Sequence, residues 1–135
     1  MTAAHKTIRV RDVMKTTFST IDGAATISDA LKLMKTQKTS VLIVNKRHDD
    51  DEYGMITSAD IARQVLAKDK SPSRVNVYEI MTCPIIQVHP GMDIRLCSRL
   101  FDTYNLVRAP VIENDKILGM VSPNALVLDG LYKIC

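Results

Sequence analysis

Val13-Met14-Lys15-Thr16-Thr17-Phe18-Ser19-Thr20-Ile21 returns as Ile80-Met81-Thr82-Cys83-Pro84-Ile85-Ile86-Gln87-Val88, 67 residues further along the chain. The repeat stays in register beyond this stretch. Thr26-Ile27-Ser28-Asp29-Ala30 maps onto Asp93-Ile94-Arg95-Leu96-Cys97, and Leu42-Ile43-Val44 onto Ala109-Pro110-Val111, at the same offset. Gly54-Met55-Ile56-Thr57 then maps onto Gly119-Met120-Val121-Ser122 at an offset of 65, so the first copy carries a loop two residues longer. A long period present only twice points to two copies of a compact unit packed face to face; a solenoid needs at least about three repeats to bury its core.

The 135 residues suffice for one ordinary domain, and either half alone buries too little surface to be comfortably stable. The expected division is a first repeat over 1–67 with an N-terminal lead-in, a polar linker at 68–76 and a second repeat over 77–135. A formal charge of +3 from 18 basic and 15 acidic residues, scattered and without Trp, argues against nucleic-acid binding, which favours a concentrated basic face with stacking aromatics. The N-terminus lacks the apolar stretch of a signal peptide, and no segment has the length of a membrane span. Cys83, Cys97 and Cys135 are an odd set without CxxC spacing, as expected of reduced thiols. A cytoplasmic protein with no membrane attachment is the resulting expectation.

Each half reads as strand, helix, strand, strand, helix, a mixed α/β (α+β) pattern. In the first, Phe18 to Ile21 is a short strand. Ile27, Ala30, Leu31 and Met34 then recur at helical spacing behind a Thr26 N-cap. Ser40 to Asn45 is a β-branched strand, Lys46 to Glu52 a charged hairpin loop, and Tyr53 to Ile56 the next strand. Thr57-Ser58-Ala59-Asp60 opens a helix with Ile61, Val65 and Leu66 on one side. In the second half the plan gives a strand at Ile85 to Val88, a helix from Asp93, strands at Arg108 to Ile112 and Ile117 to Val121, and a last helix from Ser122-Pro123. Val10 to Met14 and Val77 to Met81 read as single helical turns leading into the first strands.

These motifs resemble the CBS domain family, named for cystathionine β-synthase, in its tandem form, the Bateman module. The resemblance rests on Asp12-Val13-Met14 and Glu79-Ile80-Met81, on Arg108-Ala109-Pro110-Val111, and on Gly54-Met55-Ile56-Thr57-Ser58-Ala59-Asp60-Ile61. It covers nearly the whole chain, and the order and duplication of the motifs carry it more than any one of them. It implies two pseudo-twofold-related β-α-β-β-α repeats packed through their sheets, clefts between them that bind adenosine nucleotides, and homodimers of modules. It implies no catalysis and no required cofactor.

In this family the Thr and Asp of Gly-x-x-Thr-x-x-Asp hold ribose hydroxyls, which places Thr57 and Asp60 at a ligand. A carboxylate suits a cis-diol because it accepts two hydrogen bonds. On the residues alone the same pair reads as a helix cap, Thr57 as N-cap and Asp60 in the first turn; one residue can do both. The resemblance sets Ile85 and Ile86 against adenine, with plain core as the alternative, and Arg108 at phosphate, where a guanidinium offers paired donors, with a solvated strand-end Arg as the alternative. The equivalent set in the other copy, Phe18, Ser19, Ser122 and Asn124, is a weak second site: Ala125 stands where Asp60 stands, and Asn124, one residue early, is rotated by about 100° around the helix. At most one strong site per chain is expected.

His48-Asp49-Asp50-Asp51-Glu52 lacks the alternating ligands and Gly of a calcium loop and reads as a solvated hairpin, so no metal is assigned. His5 and His89 have no partner at ligand spacing. The methionines recur at equivalent places and read as core filler, and Cys83 as structural. With five glycines, no phosphate-cradling loop and no nucleophile–base pair, an enzyme is not expected. The reading is a stand-alone regulatory module that binds AMP, ADP, ATP or S-adenosylmethionine and signals to an unidentified partner protein. The alternative is a ligand-free interaction scaffold with a decayed pocket.

Overall fold

The computed structural model describes residues 7–135; His5 lies outside them. In chain order the elements are α1 (Val10–Val13), β1 (Thr20–Ile21), α2 (Ile27–Gln37), β2 (Val41–Val44), β3 (Gly54–Thr57), α3 (Ser58–Ile61), α4 (Val77–Ile80), α5 (Ile94–Tyr104), β4 (Ala109–Glu113) and β5 (Lys116–Val121). α3 continues as a π-helical turn, Ala62–Leu66, and the chain ends in a helix that is π-helical over Ala125–Gly130. The chain forms two compact units whose limits differ from those of the sequence repeats. One unit is Phe18–Ile85; the other joins the described residues up to Thr17 to Ile86–Cys135. Each repeat's lead-in is therefore packed into the unit that holds the body of the other repeat, so the compact units and the sequence repeats are divided at different points.

In Phe18–Ile85 the sheet runs β1-β2-β3, with β1 parallel and β3 antiparallel to β2. A parallel pair needs a crossover, and α2 supplies it. α2 starts where its sequence signals: the Thr26 hydroxyl accepts from the Asp29 N–H at 3.2 Å and Asp29 accepts from the Thr26 N–H at 3.1 Å. The second of these bonds is the largest influence holding the Asp29 carboxyl below its ordinary value. Ile27, Ala30 and Met34 turn one face inward, and the helix stops at Lys38 in the left-handed region, φ 54°. The core joins them to Leu42, Val44, Ile56, Ile61 and Val65, and to Val75 and Val77 of the second lead-in. The Val77 N–H donates to the Ala25 carbonyl and the Ile27 N–H to the Val75 carbonyl, both at 2.8 Å.

The other unit follows the same plan. α5 ends at Asn105, also left-handed at φ 53°, and buries Ile94, Cys97 and Phe101. Val10 of α1 is fully buried, and its N–H donates to the Met92 carbonyl at 2.8 Å, the counterpart of Val77 on Ala25. β4 and β5 pair antiparallel. Val44 faces Gly54 in one ladder and Val111 faces Gly119 in the other, so both offsets, 67 and 65, are those of the pairing register.

The strand expected over Ile85 to Val88 is reduced to one parallel bridge, Val88 with Val111. The cause is Pro110. In the first copy the Ile43 N–H donates to the Ser19 carbonyl at 3.0 Å; Pro110 replaces Ile43 and has no N–H to give the Ile86 carbonyl. The ladder resumes only where Val88 donates to the Pro110 carbonyl and Ile112 donates to the Val88 carbonyl, each at 3.0 Å.

Candidate functional site

β3 delivers Thr57 to the start of α3 as its N-cap, in extended conformation at φ −119° and ψ 161°. The Thr57 hydroxyl accepts from the Asp60 N–H at 3.1 Å, and Asp60 Oδ2 accepts from the Thr57 N–H at 2.9 Å. The reciprocal cap read from the sequence is therefore present, with Asp filling the role more often taken by Glu. The second carboxylate oxygen, Oδ1, accepts from Arg63 Nη2 at 2.7 Å. The Asp60 side chain is 15 % exposed and that of Arg63 64 %.

A carboxylate has about four lone-pair positions. Two are taken here, one on each oxygen, so one remains on each. That is the acceptor pattern a cis-diol needs, and capping and diol binding are compatible at one residue. Arg63 is not among the residues that the family motif marks. Its signal is Asp60-x-x-Arg63, an acid and a base three residues apart and hence on one helical face.

The remaining candidates fall in both units. Ile85 closes the first and Ile86 opens the segment of the second; both are half-buried. Pro110 withholds the ladder donor from the Ile86 carbonyl, the kind of main-chain acceptor that an exocyclic amine could use. Arg108 is half-buried immediately ahead of β4.

In the second copy Ser122 keeps the hydroxyl half of the cap, its Oγ accepting from the Ala125 N–H at 3.4 Å. The carboxylate half is missing: Ala125 stands in its place and is buried in the apolar core. Asn124 is exposed and makes no side-chain cap hydrogen bond. Phe18 is exposed and Ser19 half-buried; the Ser19 carbonyl is already bonded by Ile43.

The acidic hairpin is organised by its own Arg. Asp51 accepts from the backbone N–H and from Nε of Arg47, both at 3.0 Å. The backbone bond first, then the guanidinium, hold its carboxyl well below the usual carboxylate range. Among the described residues no group of three or more His, Cys, Asp or Glu is placed to hold a metal ion. Burial raises the Cys83 thiol, assisted by Asp51 and Glu52, and pushes Cys97 up to about 11. Neither has the lowered pKa of a reactive thiol. No helix among the described residues is long and apolar enough to cross a membrane.

The crystal structure of a hexameric CBS-CP12 protein from bloom-forming cyanobacteria superposes with a TM-score of 0.89 at 36% identity, over 94% of this chain and 70% of that one. The CBS domain pair of protein MJ0100, solved with 5′-methylthioadenosine and S-adenosyl-L-methionine, shares the fold at a TM-score of 0.79 and 23% identity, over 95% of this chain and 99% of its own. An uncharacterised protein of Methanopyrus kandleri is 32% identical over 84 residues, which are 62% of this chain and 42% of that protein. This chain thus spans less than half the length of that relative. The CBS domain pattern matches twice, over residues 10–67 and 77–128, and the chain belongs to the CBS domain family as a tandem pair.

Proposed function

We propose that this CBS pair is a regulatory module that binds an adenosine-containing ligand, AMP, ADP, ATP or S-adenosylmethionine, and reports its occupancy to a partner protein. The observation that carries the reading is Asp60, a mostly buried carboxylate held by Thr57 with one acceptor position left on each oxygen. The family resemblance assigns Ile85 and Ile86 to the base and Arg108 to phosphate. The bound ligands of the MJ0100 pair support the adenosine class. Ligand binding shifts a conformational equilibrium only by its differential affinity for the two states, so the signal to the partner is bounded by that difference.

The test is the melting temperature with and without millimolar AMP, ADP, ATP or S-adenosylmethionine, for the wild type, Asp60→Ala and Asp60→Asn. Ligand at 100 times its dissociation constant stabilises the fold by about 2.7 kcal/mol. A shift in the wild type that is lost in both variants supports the site. Asp60→Asn guards against misreading, because its amide oxygen still accepts from the Thr57 N–H. Absence of any shift in nucleotide-free protein favours the interaction scaffold, and titration to two equal sites per chain removes the single-site reading. Self-association as a homodimer belongs to the same proposal: Val127, Leu128, Leu131 and Tyr132 are exposed on the C-terminal helix. Light scattering that finds only monomer at high concentration removes it.

A further inference from the structure

The ion pair on Asp60 has no evident purpose in stability. An exposed guanidinium three residues along a helix from an acid contributes little to folding, since it spends side-chain entropy and is screened by solvent. Its geometry is nevertheless tight, 2.7 Å from Arg63 Nη2 to Asp60 Oδ1, while the Thr57 N–H holds Oδ2 at 2.9 Å. The carboxylate is thereby tied at both oxygens, from opposite ends of one helical turn. Without Arg63 it is tied through Oδ2 alone, and Oδ1 is free to turn about that single bond or to take up water.

We propose that Arg63 is a positioning residue for the ribose-binding carboxylate: it fixes Asp60 so that one acceptor position on each oxygen is presented to the two hydroxyls of a cis-diol. The inference rests on the adenosine reading and deepens it by naming what sets selectivity for ribose over deoxyribose. Arg63 keeps its other N–H donors, so it holds Asp60 without exhausting it. The selectivity belongs to a free diol. A phosphate on the 2′ or 3′ oxygen would meet the Asp60 charge and is disfavoured.

The experiment measures the affinities of AMP and 2′-deoxy-AMP, and of ATP and 2′-deoxy-ATP, for the wild type, Arg63→Gln and Arg63→Lys. A hydrogen bond to a charged acceptor is worth about tenfold in affinity, so the wild type should prefer the ribonucleotide by about that factor. In Arg63→Gln the preference should fall to about threefold or less, ribonucleotide affinity dropping more than 2′-deoxynucleotide affinity, and Arg63→Lys should recover part of it, the pattern of a pairwise coupling. Arg63→Gln without ligand should melt close to the wild type, which separates positioning from folding. A loss shared equally by ribo- and deoxynucleotides, or an unchanged ratio, overturns the positioning role while leaving the adenosine site standing. A wild type that binds neither AMP nor ATP overturns the nucleotide reading itself, and Arg63's role falls with it.

Discussion

Thr57 serves the fold before it serves any ligand. Its hydroxyl accepts the Asp60 N–H and its own N–H is held by the Asp60 carboxylate, so substitutions here change stability as well as binding. Thr57→Val keeps the shape and deletes the acceptor; it should cost about 1 kcal/mol, the usual value of an N-cap, whereas Thr57→Ser should cost much less. Chemical denaturation of the two ligand-free variants checks this, and equal stabilities would mean that the cap hydrogen bond contributes nothing. The sequence makes this pair legible because Thr-x-x-Asp is a local signal whose geometry depends on four consecutive residues. Arg63 is less legible. Acid–base pairs three apart are common on helix surfaces, and only the burial of Asp60 distinguishes this one.

The elements follow their local chemistry where that chemistry is self-contained. α2 and α5 start where the sequence places them, α2 behind its Thr26 cap and α5 at Asp93, and both end in a left-handed residue. Strands are different, because a strand needs a neighbour's N–H groups. Ile85 to Val88 has the composition of a strand, yet its ladder depends on a proline more than twenty residues away. Close approach between elements is equally non-local. The Lys15 and Met120 backbones exchange two hydrogen bonds of 2.9 Å, and Thr82 and Met55 do the same in the other unit. Both approaches require the neighbouring glycine. A Cβ on Gly119 would overlap the Lys15 carbonyl, and one on Gly54 would come within 2.8 Å of Met81 Sδ. Gly119→Ala should therefore destabilise by about 1–3 kcal/mol, as overpacking does. Gly54→Ala should cost less, since the atom at 2.8 Å is a flexible methionine end that can move and the Thr82 carbonyl, at 3.1 Å, is tight without overlapping. Thermal melts of the two variants that reverse this order would contradict the placement of the lead-ins.

At the scale of the whole molecule, the repeat was plain from the sequence but the exchange of lead-ins was not, and the reason is the repeat itself. Val10 and Val77, Met14 and Met81 are so alike that either lead-in would satisfy either core. Pattern alone cannot say which copy a segment enters. The exchange has a mechanical consequence. Lys68, Lys70 and Arg74 are exposed in the connecting segment, so trypsin can cut there and leave two fragments, each carrying the lead-in that the other needs. Ile8, Val10 and Val13 are buried in one unit, and Val75 and Val77 in the other. Each such side chain contributes about 1.5–3 kcal/mol on burial, so the five together bring on the order of 10 kcal/mol, an upper estimate. Nicked protein should therefore elute as one species in native buffer and as two in denaturant. Val10→Asp combined with Val77→Asp, which puts a carboxylate into each exchanged contact, should release the fragments without denaturant. Wild-type fragments that part in native buffer would show that each lead-in stays with its own repeat.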